Sequence, residues 1–179
     1  SWKLHKNCRN TKQIASANTL MTNIPNQGKP TVSGPQVEYA SYNGRADERQ
    51  KINAIVRNIK DSGAIGGDFI ILSRYTLSNP QNGLGLSGLD KDLGTLKVTG
   101  PLWKAKKSEV RFSTISGFKG LESKIVIMID VDHFSDEDTR LLNYVAASRA
   151  CAMLYVLYDC NVEQERQGMI LSGFTQVGT

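Results

Sequence analysis

Two glycines, a lysine and a glutamate separate two strand-like segments in STISGFKGLES, residues 113–123. The preceding EVRF alternates polar and apolar residues, and the following KIVIMIDV is rich in β-branched and apolar residues. Both patterns predict strands. A simple turn needs only one glycine, so this stretch is predicted to combine a strand end, a close backbone approach and a helix start. Such places often bind phosphates or nucleotides, whereas the plain alternative is a strand–turn–helix corner.

A second candidate residue, Arg149, lies near the end of a predicted helix. Arg149 lies seven residues after Leu142, and Val145 and Ala146 lie three and four residues after it. In a helix this spacing places all four residues on one side, which should face the core. A cation is favourable at a helix C-terminus and a long side chain can extend to solvent, so a structural role is open. Otherwise an arginine at the inner edge of a helix layer needs an anionic partner, and a ligand phosphate would fit.

Helical periodicity alternates with short apolar segments along the rest of the chain. Such alternation predicts an α/β fold, in which a parallel sheet carries helices on both faces. The C-terminal segment SGFTQVGT is predicted to be a frayed tail. The predicted strands are 37–43, 68–75, 109–115, 124–131 and 152–158, and the predicted helices are 12–21, 46–61 and 135–150.

Length and composition limit the class of protein. A chain of 179 residues suits one domain, and because it starts at Ser1 without a methionine we expect a piece of a longer protein. No apolar run is long enough to span a membrane and no signal peptide is visible, which favours a cytoplasmic protein. Three scattered cysteines predict a reducing compartment without disulfides. No metal site is expected, because His5 and Cys8 supply only half of a zinc site.

Positive charge is concentrated in the first third of the chain. Up to residue 60 there are ten Lys or Arg and three Asp or Glu, whereas the remainder has twelve and fourteen. This distribution favours contact with a polyanion. Solvated helix faces would explain the same charges equally well.

Three segments together resemble the motifs of superfamily 1 helicases of the UvrD/Rep type. KNCRNTKQIA (6–15) resembles motif IV, STISGFKGLESKIVIMI (113–129) resembles motif V, and LLNYVAASRACAMLYV (141–156) resembles motif VI. FIILSR (69–74) is similar to the intervening motif IVa. The order of these segments and their positions on strands and helices also match the family.

The resemblance implies the second RecA-like domain of an ATP-dependent helicase. ATP with Mg²⁺ would bind in the cleft between this domain and an N-terminal RecA-like domain of the same parent protein. Single-stranded nucleic acid would cross both domains, with DNA expected and RNA left open. The chain has no G-x-x-x-x-G-K-[ST] loop, so by itself it is not expected to hydrolyse ATP.

The same resemblance implies roles for individual residues. Arg9 and Arg149 would face the γ-phosphate and stabilise the charge that develops in phosphoryl transfer. Glu122 would accept a hydrogen bond from the nucleotide sugar, and Gly120 would let the backbone approach closely. Lys119, at a helix start, could serve either ligand. The residues expected to contact nucleic acid are Thr114, Ser116 and Arg74.

The chain departs from the family pattern at three places. Ser116 stands where histidine is usual, and Cys8 stands where an aromatic residue is usual. Roughly thirty-five residues separate FIILSR from motif V, too few for the large helical insertion of UvrD and Rep, so a compact member is expected. The alternative is a non-catalytic RecA-like domain that binds nucleic acid or acts as a scaffold. An independent nucleotide-binding protein is disfavoured, because a phosphate loop is missing.

Overall fold

A six-stranded sheet, in which every neighbouring pair is parallel, forms the centre of the protein. Helices cover both of its faces, which confirms the predicted α/β fold class. The arrangement is RecA-like. The computed structural model describes residues 6–7, 9–26, 28–84, 97–100, 105–106 and 108–177.

The described elements follow the predicted alternation of strand and helix. Two single turns of 3₁₀-helix accompany them, at Ser116–Phe118 and Cys160–Val162. The strands and helices are β1 (Lys6–Asn7), α1 (Lys12–Thr22), β2 (Lys29–Pro30), β3 (Glu38–Tyr42), α2 (Gly44–Asp61), β4 (Phe69–Ser73), β5 (Lys97–Thr99), β6 (Glu109–Thr114), β7 (Ser123–Val131), α3 (Glu137–Ala147), β8 (Ala150–Asp159) and α4 (Glu163–Val177).

The sheet has the order β3-β8-β7-β4-β6-β5, with β1 and β2 forming a separate parallel pair. All five residues of β4 are buried, as expected for a central strand covered on both faces. One face packs against α1, α3 and α4, and the other packs against α2. Each helix therefore buries one apolar side against the sheet.

The start of α1 follows from its sequence. The Thr11 hydroxyl accepts a hydrogen bond from the Ile14 N–H at 3.3 Å, which caps the helix. The helix ends at Asn23, whose backbone is left-handed with a φ of 54°. Ile14 and Met21 are buried, as their spacing predicts. The cap and these buried side chains fix the direction in which the chain enters α1, three residues after Arg9.

The helix predicted over 135–150 and the predicted C-terminal tail both differ from the structure. The helix predicted over 135–150 is shorter at both ends, because the Asp136 carboxylate caps α3 by accepting from the Thr139 N–H and Ala150 already pairs with β7. The predicted C-terminal tail is instead helical to Val177. Its anchor is Met169, which is buried in the core, a tertiary contact that the weak local periodicity does not show. Within the described part of the chain, no helix is both long and apolar enough to cross a membrane.

Candidate nucleotide and nucleic-acid sites

The segment between β6 and β7, residues 115–122, crosses one face of the sheet and is called the crossing segment. β6 and β7 both pair in parallel with β4, one on each side. The chain must therefore return from the carboxyl end of β6 to the amino end of β7 in eight residues. An α-helix advances only about 1.5 Å per residue against about 3.3 Å for extended chain. The geometry thus favours an open path with one 3₁₀ turn, Ser116–Phe118.

No α-helix begins in this segment, so the predicted helix start at Lys119 is wrong. Lys119 follows the 3₁₀ turn, and Gly120 has a φ of +85°, which favours glycine. Ile115 and Phe118 are buried in the core and hold the segment on the sheet. The two ends of the crossing segment consequently lie at opposite edges of the sheet.

Three of the predicted nucleotide-site residues lie together at the amino edge. Glu122 immediately precedes β7, Arg149 immediately precedes β8, and Arg9 leads into α1. The guanidinium of Arg9 forms an ion pair with the Glu122 carboxylate, and both side chains are partly exposed. Burial lowers the pKa of Arg149; the nearby Arg9 charge lowers it further, and Glu122 opposes both. Arg9, Glu122 and Arg149 are called the amino-edge cluster.

Arg149 lies just beyond the end of α3 and not on its inward stripe, which corrects the predicted helical position. Its guanidinium donates to the carbonyls of Val145 (3.2 Å) and Leu121 (3.5 Å) and to the Ser148 hydroxyl (3.1 Å). These acceptors are uncharged, and no described carboxylate forms an ion pair with Arg149. The bond to Val145 supports a helix-end role, whereas a guanidinium without an ion-paired carboxylate among the described residues suits an anionic ligand.

The amino edge also offers space and an unpredicted thiol. Apart from Gly120 and its two chain neighbours, no atom of the described residues lies within 4 Å of where a Gly120 Cβ would be, so this side of the turn is open. The Cys151 thiol donates to a Glu122 carboxylate oxygen at 3.6 Å. Burial and then the Glu122 charge raise the pKa of Cys151 to about 11. A single sequence carries no signal for this contact, because Cys151 and Glu122 are brought together only by the pairing of β7 with β8.

The three residues predicted to contact nucleic acid lie at the opposite, carboxyl edge. Thr114 ends β6, Ser116 follows it, and Arg74 follows β4. The Thr114 hydroxyl accepts from the Gly117 N–H at 3.1 Å, which leaves its own O–H to donate. Thr114 and Ser116 thus lie where β6 passes into the crossing segment, at the end of the sheet opposite the amino-edge cluster.

Arg74 is already engaged in an ion pair. Its Nη1 lies 2.5 Å from Asp132 Oδ1, and the Tyr75 hydroxyl donates to the other oxygen of that carboxylate. The Arg74 guanidinium also lies over the Tyr75 ring, 5.5 Å from its centroid. A guanidinium has five N–H donors, so a phosphate contact would use those that Asp132 does not.

A buried pair of acids lies behind the carboxyl edge. Arg45 Nη1 donates to Glu48 Oε2 at 2.8 Å and to Asp130 Oδ1 at 2.7 Å. The Asp130 carboxylate also accepts from the Gly83 N–H (2.7 Å) and the Ser73 hydroxyl. Asp130 has a left-handed φ of 58° at an irregularity in β7. One arginine thus serves two buried carboxyl groups, which favours retaining a proton on the pair.

We expect this pair to make the protein less stable as pH rises through the neutral range. Burial and then the Asp130 charge raise the pKa of Glu48 from 4.5 to about 8. Burial also raises the pKa of Asp130, and the Asp132 charge raises it further. Between these values the folded state binds the extra proton, so the free energy of unfolding should fall by up to about 1.4 kcal/mol per pH unit. Urea unfolding from pH 5 to 8 measures this decline.

Glu48→Gln should flatten most of that decline, because the neutral amide no longer titrates. Glu137→Gln, at an exposed glutamate in the first turn of α3, is the matched control and should keep the wild-type slope. A steep decline that persists in Glu48→Gln would show that other groups are responsible.

Two further sequence features concern metals. His5 and Cys8 lie outside the described residues. Among the residues that are described, no group of three or more His, Cys, Asp or Glu side chains is arranged to hold a metal ion.

Comparison with known proteins adds evidence on the fold. No protein-family model and no curated protein matches the sequence. Among solved structures, the chain is similar to the C-terminal domain of a possible DNA helicase from Lactobacillus plantarum WCFS1, with a TM-score of 0.62 and 15% identity. The similarity covers 84% of this chain and 86% of that domain. The two chains therefore share the RecA-like α/β fold.

Proposed function

We propose that this chain is the second RecA-like domain of an ATP-dependent helicase or translocase of the UvrD/Rep type, acting on single-stranded DNA. The observation that carries the proposal is the convergence of Arg9, Glu122 and Arg149, from three distant parts of the chain, at one edge of the sheet. The fold shared with the C-terminal domain of a possible DNA helicase supports it. ATP with Mg²⁺ would lie between this edge and an N-terminal RecA-like domain of the same protein.

The contacts at the amino edge fit an anionic ligand with a sugar. An incoming phosphate would compete with Glu122 for Arg9, which is already paired with that carboxylate. The released carboxylate could then accept a hydrogen bond from a ribose hydroxyl. Among the described residues, the hydrogen bonds of the Arg149 guanidinium go to uncharged oxygens, so it would be available to stabilise the developing negative charge of phosphoryl transfer.

The crossing segment explains how one domain could serve both ligands. Its first residues, beside Thr114, face the carboxyl edge where DNA would bind, and its last residue, Glu122, belongs to the amino edge. Phe118, fully buried between the two, resists independent movement of either end. A shift imposed by the DNA would thereby reach the nucleotide contacts.

We expect weak, sequence-independent binding of a labelled single-stranded oligodeoxynucleotide that weakens with salt. For single strands, the logarithm of affinity should fall against the logarithm of salt concentration with a slope of about −0.7 per phosphate neutralised. Arg74→Ala should reduce that slope by about 0.7. Thr114→Ala should lower affinity with the slope unchanged, because a hydroxyl displaces no counterion. Fluorescence anisotropy at several salt concentrations measures both quantities.

The matched control is Lys124→Ala. Lys124 is also ion-paired, with Asp68 Oδ1 at 2.7 Å, but it lies at the amino end of β7 and its loss should leave the slope unchanged. Binding that ignores salt, or equal effects of the Arg74 and Lys124 variants, would exclude the carboxyl edge as the DNA site. If RNA of the same sequence binds more tightly than the DNA, the proposed nucleic acid is RNA and not DNA. DNA binding by an intact protein that lacks an upstream Walker lysine would favour the non-catalytic alternative.

A further inference from the structure

We infer that Asn10 is a positioning residue for Arg149, an inference that rests on the proposed function. Asn10 is buried, with 8% of the residue exposed. Its amide nitrogen donates to two backbone carbonyls, that of Ser148 at 3.2 Å and that of Ala150 at 2.7 Å. These carbonyls belong to the residues on either side of Arg149. One side-chain amide therefore holds both neighbours of the arginine.

A second donor holds the carbonyl of Arg149 itself. The Ser123 backbone N–H donates to it at 3.0 Å. Three consecutive carbonyls, of residues 148–150, are thus each held by a donor from a distant part of the chain. Because the peptide planes on both sides of Arg149 are fixed, the direction in which its side chain leaves the backbone is fixed as well.

Asn10 also links Arg149 to the other arginine of the amino-edge cluster. It lies between Arg9, which pairs with Glu122, and Thr11, which caps α1. Any movement of the backbone at residue 10 would change the separation of Arg9 and Arg149. The rate of a reaction falls sharply when a catalytic group is misplaced by about 1 Å. A rigid connection between the two arginines would therefore preserve the rate of hydrolysis.

The chemistry of the contact requires an amide. An asparagine NH₂ group has two N–H donors, one for each carbonyl. Alanine would remove both donors from the buried Ala150 carbonyl and the partly buried Ser148 carbonyl, and aspartate, of the same shape, would offer only acceptors to them. Serine would retain a single donor on a shorter side chain.

The test is a double-mutant cycle on single-turnover ATP hydrolysis by the intact protein. Asn10→Ala should lower the rate by about 10- to 100-fold with little change in nucleotide affinity. In an Arg149→Ala background it should cause less than a further twofold loss, because Asn10 acts through Arg149. A purely structural role would instead give the same fold-loss in both backgrounds.

Asn18→Ala is the matched control. Asn18 is also a buried asparagine at the α1–α3 contact, and its amide donates to the Tyr144 carbonyl at 3.3 Å. Its loss should lower the melting temperature and leave the rate unchanged. If Asn10→Ala does not fold, Asn10→Ser should show the same non-additivity with a smaller effect.

The outcomes separate this inference from the proposed function. If Arg149→Ala itself leaves hydrolysis unchanged, the proposed catalytic role of Arg149 is wrong and the inference is wrong with it. A different result is that Arg149→Ala greatly slows hydrolysis while the Asn10 variants leave the rate unchanged, or lower it by the same factor in both backgrounds. In that case only the positioning role of Asn10 is wrong.

A measurement without activity tests the same contact. The Arg149 Nε–H group should show a rigid heteronuclear NOE in the wild-type chain and a mobile one in Asn10→Ala. Equal rigidity in both chains would overturn the inference.

Discussion

Replacing Arg149 with alanine in the intact protein is expected to slow ATP hydrolysis by about 10³- to 10⁵-fold, with little change in nucleotide affinity. An arginine that meets charge developing in the transition state lowers the barrier without strengthening the ground-state complex. Arg149→Lys should recover little, because lysine lacks the planar fork of donors. Single-turnover hydrolysis and nucleotide titration, made on the same preparation, separate rate from binding.

Thermal melting distinguishes this role from that of a helix-end cation. The Arg149 Nε bond to the Val145 carbonyl predicts a modest loss of stability in either case. Arg140→Ala is the matched control, since Arg140 also uses its Nε to hold a backbone carbonyl, that of Thr22 at 2.9 Å. A folded Arg149→Ala protein with near-normal turnover would leave Arg149 with the structural role alone.

Phe118→Ala should destabilise the domain by about 3–5 kcal/mol and should also weaken both ligand sites. Phe118 is fully buried and anchors the middle of the crossing segment. A cavity there removes the contact that holds Thr114 and Glu122 in a fixed relation. We therefore expect weaker DNA binding and slower hydrolysis in the fraction that remains folded.

Phe69→Ala separates loss of stability from loss of function. Phe69 is equally buried but lies in β4 and packs in the core on the other face of the sheet. Denaturant unfolding should show a similar loss for the two variants. At a temperature where both are folded, only Phe118→Ala should lose DNA affinity and turnover. Equal functional losses would mean that the crossing segment does not connect the two edges.

The strands were the most predictable part of the fold. The continuous apolar sequence of β4 and the rich β-branched content of β7 have one physical explanation, burial on both faces of a parallel sheet. The buried Glu48 was within reach of sequence reasoning as well. It lies four residues before Ile52 and therefore continues the apolar stripe of α2, where a carboxyl group is out of place.

The crossing segment could not be predicted from its residues. Two glycines beside a lysine suggest a helix start, but the path is decided by the strand order, which places β4 between β6 and β7. The same strand order decides which edge carries which residues. Open α/β sheets generally bind ligands at the carboxyl ends of their strands, whereas Glu122 and Arg149 lie at the amino ends.

Side-chain pairings between distant segments were also beyond the sequence. Nothing in FIILSR indicates that Arg74 meets Asp132, and nothing in KNCRNT indicates that Asn10 holds the carbonyls beside Arg149. Such contacts depend on which elements become neighbours in space. The resemblance to helicase motifs predicts roles for Arg9 and Arg149, but it does not predict which residues hold them in place.

The pairing of β3 with β8, which sets Glu38 beside Tyr155, has a consequence for synthesis on the ribosome. β3 is synthesised early, but it can pair only after β8 has been synthesised. Contacts so distant in sequence form slowly. Asn10 likewise waits for the turn between α3 and β8. The edge that gathers Arg9, Glu122 and Arg149 is thus completed only when β8 has emerged, and a nascent chain cannot assemble it any earlier.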